Sequence, residues 1–95
     1  MSLEFEWDQD KAAANRKKHG VTFEEAATVF ADPLATIFDD VVHSRQELRE
    51  IIIGHSDKNR LLLVCFTERA AAVRIISARR ATKRERQDYE ENPFR

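Results

Sequence analysis

Three apolar runs lie close together after residue 50, and no other feature restricts the fold of this chain as much. Glu50 to His55 carries Ile51, Ile52 and Ile53, Leu61 to Thr67 is almost wholly aliphatic or aromatic, and Ala72 to Ala78 carries Val73, Ile75 and Ile76. Each run is short, most are rich in β-branched residues, and turn sequences separate them at Ser56-Asp57-Lys58-Asn59-Arg60 and around Glu68-Arg69-Ala70. The pattern predicts a three-stranded antiparallel meander. Unbroken apolar runs also imply strands covered on both faces for much of their length.

The first half supplies helices for one cover. Phe5 and Trp7 alternate with Glu4 and Glu6, as in a short half-buried strand, which makes Trp7 a core residue rather than a base-stacking platform. Asp8 caps a helix over Gln9 to His19 that has its acids first and its bases last, and Gly20 stops it. Thr22 and Glu25 form a capping box for a second helix, with Phe23, Ala26, Ala27 and Phe30 on one stripe and Asp32-Pro33 at its end. Leu34 to Phe38 reads as a short strand broken by Asp39-Asp40. Thr82 and Glu85 repeat the capping box and open a last helix through about Glu91, before Asn92-Pro93. That helix has almost no apolar stripe beyond Tyr89 and flanking Ala81, so it reads as an interface. The predicted class is α+β, in the order β-α-α-β-β-β-β-α, with the partner of the first strand unassigned.

The chain has 95 residues, enough for one domain spanning 1–95. Its longest apolar run, Leu61 to Phe66, is far short of the roughly 20 residues that cross a bilayer, and the acidic N-terminus does not read as a signal peptide. No membrane is expected, and the lone Cys65 suits a reducing cytoplasm. The near-neutral net charge of -1 hides an asymmetry: residues 1–50 hold six Lys/Arg against eleven Asp/Glu, and 51–95 hold ten against six. Between residues 69 and 86, Arg69, Arg74, Arg79, Arg80, Lys83, Arg84 and Arg86 face only Glu85. Such a block attracts phosphate or an acidic partner.

Gly-rich phosphate loops, His-Glu-x-x-His, Gly-x-Ser-x-Gly and paired Cys or Cys/His ligand sets are all missing from the sequence. Asp39, Asp40 and His43 read as turn chemistry, so neither a metal nor a cofactor is expected. Arg79 and Arg80 fall where a strand runs into a capped helix, and guanidinium groups beside a helix N-terminus make a phosphate-binding combination. In the functional reading, Arg74, Arg79 and Arg80 hold a phosphodiester and stabilise its pentacovalent transition state. In the bland one, the arginines form surface ion pairs. Strand alternation puts Arg74 and Arg79 on one face only if the strand ends or bulges near Ala78. The candidates for proton transfer are His19, His43, His55, Glu68 and Tyr89, with His19 on the helix face of Asn15 and Ala12.

Several segments in combination resemble the BrnT toxin family: Phe5-Glu6-Trp7-Asp8, the segment from Lys11 through Asn15 to Lys18-His19-Gly20-Val21-Thr22-Phe23-Glu24-Glu25-Ala26, Arg74-Ile75-Ile76-Ser77-Ala78-Arg79-Arg80-Ala81, and Lys83-Arg84-Glu85-Arg86 with Tyr89. The resemblance implies a RelE-like fold, with two N-terminal helices packed on an antiparallel β-sheet and a polar C-terminal helix. It implies a metal-independent endoribonuclease that acts on RNA, with Arg74, Arg79, His19 and Glu68 as catalytic candidates and Arg80, Lys83 and Arg84 guiding RNA. It also implies a BrnA-like ribbon-helix-helix antitoxin in a two-plus-two assembly, reaching operator DNA only through that antitoxin; the exposed sheet face and final helix, read above from the apolar runs and the missing stripe, are where it would dock. The rival readings are a non-catalytic nucleic-acid- or protein-binding module and a degenerate toxin that serves only as co-repressor. The nuclease reading carries a condition: the arginines must cluster and must not be neutralised by the chain's own carboxylates.

Overall fold

The computed structural model describes residues 3–43 and 47–91. Strands β1 (Glu4–Glu6), β2 (Thr36–Asp39), β3 (Glu50–His55), β4 (Leu61–Arg69) and β5 (Ala72–Arg80) form one sheet in the order β1-β5-β4-β3-β2. The antiparallel meander β3-β4-β5 is extended on one side by β2 and on the other by β1, which pairs in parallel with the start of β5.

Helices α1 (Gln9–His19) and α2 (Phe23–Thr28) cover one face, with a short 3-10 turn over Val29–Ala31. Asp8 accepts the Asp10 and Lys11 N–H groups, and Gly20 closes α1 at φ 69°, a left-handed conformation that suits glycine. Val21, Phe23, Ala26 and Val29 pack on Ile52, Leu62, Val64, Phe66, Val73, Ile75 and Ala78 to form the main core. Trp7 meets Phe23 edge-on at 5.9 Å, in keeping with a place beside the core.

The Thr22 capping box forms only by half. Thr22 Oγ accepts the Glu25 N–H at 3.0 Å, but the Glu25 carboxylate turns inward to Arg60 and the Ser56 hydroxyl. At 1% exposed, that carboxylate needs the cation more than the helix needs a second cap. The Thr82 box closes fully, with Glu85 N–H on Thr82 Oγ at 3.1 Å and Thr82 N–H on Glu85 Oε1 at 2.8 Å. It opens α3 (Lys83–Glu91), whose Tyr89 packs together with Ala81 and Ile51 on Ile53, Leu61 and Leu63 across the other sheet face.

A bulge settles the facing of β5. Phe66 lies opposite Ile75 and Cys65 opposite Ser77, so Ile76 is an extra residue in β5. Val73, Ile75 and Ala78 therefore all reach the helix-covered core, while Arg74, Ser77 and Arg79 share the opposite face. The bulge falls two residues before Ala78.

Candidate active site

On the face away from α1 and α2, a cleft of about 300 Å³ lies between the edge of β5, where α1 ends, and the link from β2 to β3. Ile51, Leu63, Cys65 and Ser77 form its floor. Arg79 stands at the α3 side, His19 enters at the edge of β5, and Asp40, His43 and Arg49 come from the β2–β3 link.

His19 owes its place to Asn15, one helical turn earlier. β1 pairs with β5 only through Arg74, which leaves the edge of β5 beyond it without a neighbouring strand. The Asn15 side chain fills that gap. Its Oδ1 accepts the Ala78 N–H at 3.0 Å, and its Nδ2 donates to the Ala78 and Val21 carbonyls at 2.8 and 3.0 Å. A buried amide thus stands in for a strand backbone and fixes the C-terminal turn of α1 against the sheet.

Opposite, Asp40 is buried, and its N–H bonds the Arg49 carbonyl at 2.9 Å. Its carboxylate lies 3.0 and 3.1 Å from His43 Nδ1 and 3.6 Å from Cys65 Sγ. Burial first, and the Asp40 charge second, push the Cys65 thiol up to about 11, so it stays protonated and is no nucleophile.

Arg79 is held differently from the sequence-based expectation. β5 runs through Arg80, so both arginines lie in the strand and the junction with α3 falls at Ala81-Thr82. The helix N-terminus and Arg79 still converge, but on a carboxylate of the chain itself. Arg79 Nη1 and Nη2 donate to Glu85 Oε1 and Oε2 at 2.7 and 2.8 Å while Glu85 also caps Thr82. The guanidinium, ahead of the cap, holds the Glu85 carboxyl down at about 2 and raises Arg79 in return. Arg74, near the other end of β5, donates to Glu6 at 2.8 Å. The condition of clustered, un-neutralised arginines is therefore not met: the two stand five residues apart, roughly 16 Å along a strand, each against its own carboxylate.

Of the catalytic candidates, the cleft brings together His19 and Arg79 and leaves out Arg74 and Glu68. Glu68 pairs with Val73 in β4 and, by alternation from Phe66, projects toward the helix-covered side. Arg80, Lys83 and Arg84 are exposed outside the cleft, Arg80 on the strand and the other two in the first turn of α3. His55 and Tyr89 stack edge-on at 6.0 Å, and the Tyr89 hydroxyl donates to the Leu34 carbonyl at 2.9 Å, so both are occupied in anchoring α3. Among the described residues, no three His, Cys, Asp or Glu side chains gather to hold a metal ion. Sequence reasoning missed Arg49 and the pairing of Asp40 with His43. The i, i+3 spacing of that acid and histidine is the available signal, and an ordinary turn carries the same spacing.

The fold and cleft define a class: a small α+β domain whose sheet face away from α1 and α2 presents histidine and arginine in one recess, with the Lys83-Arg84 end of α3 beside Arg79. The chain belongs to the family described as ribonuclease toxin, BrnT, of type II toxin-antitoxin system, whose sequence model matches residues 7–85. Its fold is similar to that of the Brucella abortus ribonuclease toxin, BrnT, known from a crystal structure at 1.1 Å, with a TM-score of 0.67 and 24% identity over 86% of this chain and 100% of that one. No curated protein matches the chain in sequence.

Proposed function

We propose that this toxin cleaves RNA as a metal-independent endoribonuclease, and that a BrnA-like antitoxin neutralises it. The form of this reading that needed Arg74 and Arg79 clustered and free of internal carboxylates is dropped with its condition, and what carries the reading instead is the convergence of His19, Arg49 and Arg79 on one cleft. Scission requires the ribose 2′-oxygen to attack the adjacent phosphorus, forming a 2′,3′-cyclic phosphate as the 5′-oxygen leaves. Arg79 and Arg49 would stabilise the charge on the pentacovalent phosphorus, and His19 would move a proton. Arg80, Lys83 and Arg84 would guide the strand from the rim. Because Glu85 neutralises Arg79, an entering phosphate has to take the guanidinium from that carboxylate.

The test is purified, antitoxin-free protein with RNA in excess EDTA. Cleavage is expected, with Arg79→Ala at least about tenfold slower and Arg74→Ala unchanged because its partner is Glu6. The occupied state of Arg79 favours a second reading, a module that binds RNA without cutting it; intact RNA with steeply salt-dependent affinity would select that one.

The antitoxin reading finds its best surface at the edge strand. Leu34, Ile37, Phe38, Val41, Val42 and Leu48 are exposed together around β2 and its link to β3, with Val41 and Val42 each at 81%. This strip borders Asp40 and His43, so a partner seated there would also cover the cleft. It supports docking better than α3, whose inner side is already on the sheet. A two-plus-two complex in the bacterial cytoplasm, contacting operator DNA through the antitoxin, completes the proposal. Growth arrest on expression of the chain alone, relieved by the neighbouring gene's product, tests it in cells; loss of that relief in a Val41→Asp/Val42→Asp variant would assign the strip.

A further inference from the structure

Cleavage through a 2′-oxygen needs two proton transfers, one from the attacking hydroxyl and one to the departing 5′-oxygen. His19 can perform only one of them, and Glu68 lies on the other side of the sheet. The opposite wall of the cleft carries a second imidazole with a fixed orientation. Both oxygens of the Asp40 carboxylate lie within hydrogen-bond distance of His43 Nδ1, and an ionised carboxylate only accepts, so Nδ1 carries a proton and Nε2 is the nitrogen that serves as base in the neutral ring. Asp40 is itself fixed by burial and by its backbone bond to Arg49, while the His43 side chain is 63% exposed and reachable by substrate. β5, β4 and β3 form the floor of the cleft, about 10 Å from the first strand to the last, and both imidazoles line that one cleft.

We infer that His43, positioned by Asp40, is the general base that takes the 2′-hydroxyl proton, and that His19 is the general acid that protonates the leaving 5′-oxygen. The inference rests on the metal-free cleavage proposed above. His43 Nε2 removes the proton as the O2′–P bond forms, and the Asp40 carboxylate stabilises the imidazolium so produced. The P–O5′ bond breaks with its electron pair on oxygen, which takes a proton from protonated His19. The products are a 2′,3′-cyclic phosphate and a 5′-hydroxyl, and each histidine ends in the other's starting state, to be reset by exchange with water. The other ionisable groups facing the two imidazoles are Asp40, Arg49, Cys65 and Arg79.

The experiment compares an all-oxygen RNA with one whose scissile 5′-oxygen is replaced by sulfur, since a thiolate leaves without protonation. On the oxygen substrate, His19→Ala and His43→Ala, with His43→Gln as a bulk-preserving control, should each lose about 100-fold or more. On the sulfur substrate His19→Ala should recover to within about tenfold of the parent, while the His43 variants stay slow. Asp40→Asn should slow cleavage in the parent but cost nothing further in His43→Ala, a non-additivity that a merely structural role would not produce. A His43→Ala variant that cuts within about threefold of the parent, with His19→Ala still impaired, overturns the inference and spares the cleavage reading. Recovery of His43→Ala in place of His19→Ala overturns the assignment of base and acid. Parent protein that leaves both substrates intact in EDTA overturns the cleavage reading, and this inference with it.

Discussion

Replacing Glu85 by Gln should make the protein less stable and a better RNA binder. The amide keeps an oxygen for the Thr82 N–H, so the helix cap survives and only the ion pair with Arg79 is lost. A carboxyl held at about 2 in place of 4.5 corresponds to at most about 3 kcal/mol. Glu85 is 32% and Arg79 41% exposed, so solvent screening reduces the working figure to about 1 kcal/mol. In a domain of this size that lowers Tm by about 5 °C at pH 7. The sign with pH follows from the lowered carboxyl: its contribution is complete above pH 4.5 and disappears as pH falls toward 2. Thermal melts followed by circular dichroism should therefore show the gap between parent and Glu85→Gln closing across that window. Freed Arg79 should bind RNA about fivefold tighter, the equivalent of the same 1 kcal/mol, measured with an uncleavable strand lacking the 2′-hydroxyl at the scissile position. A constant Tm gap from pH 7 to 2, or unchanged affinity, would refute the idea that Glu85 competes with phosphate for Arg79.

Asn15→Ala should cost about 3 kcal/mol in urea denaturation, because it leaves the Ala78 N–H and carbonyl and the Val21 carbonyl without their buried partner. It should also slow cleavage by releasing His19 from the edge of β5. Arg60→Ala should cost about 3 kcal/mol by stranding the buried Glu25 carboxylate, and the loss should be smaller when Glu25→Gln is added, as a double-mutant cycle on denaturation midpoints would reveal. Lys83→Ala and Arg84→Ala should weaken RNA binding without changing cleavage preference, each reducing the slope of log affinity against log salt by about 0.7 if it contacts one phosphate of the single strand.

The elements were largely legible because their signals are local. The isoleucines of 51–53, the Asp8 cap, Gly20 and the Thr82–Glu85 box each act within a few residues, and the strands and helices they mark are present. Non-local pairings were not legible. The parallel seat of β1 on β5 depends on a register between residues almost seventy positions apart, which alternation at Phe5 and Trp7 cannot encode. The bulge at Ile76 decides that Arg74 and Arg79 share a face, yet nothing in Ile75-Ile76 distinguishes an extra residue from an ordinary apolar pair. Charge and proximity in the chain join Arg74 to Arg79 in the sequence. The structure separates them because each meets an acid from a different element, Glu6 of β1 and Glu85 of α3.

The two Thr-x-x-Glu motifs show why burial, more than motif, determines what such an acid does. Both begin a helix with the threonine hydroxyl on the glutamate N–H, and both glutamates are taken by an arginine. Glu25 is 1% exposed and also holds the Ser56 hydroxyl, so no water or phosphate can replace its cation, and the pair with Arg60 fastens α2 to the β3–β4 turn. Glu85 pairs with an arginine at the mouth of an open cleft, where an incoming phosphate offers the same bidentate geometry with more negative charge. One carboxylate is thus a fixed joint and the other, on the proposed function, a displaceable occupant of the phosphate's place. On this reasoning, self-neutralisation of Arg79 in the free chain is compatible with phosphate binding: the Glu85 carboxylate keeps the guanidinium aligned at the cleft until a stronger anion takes its place.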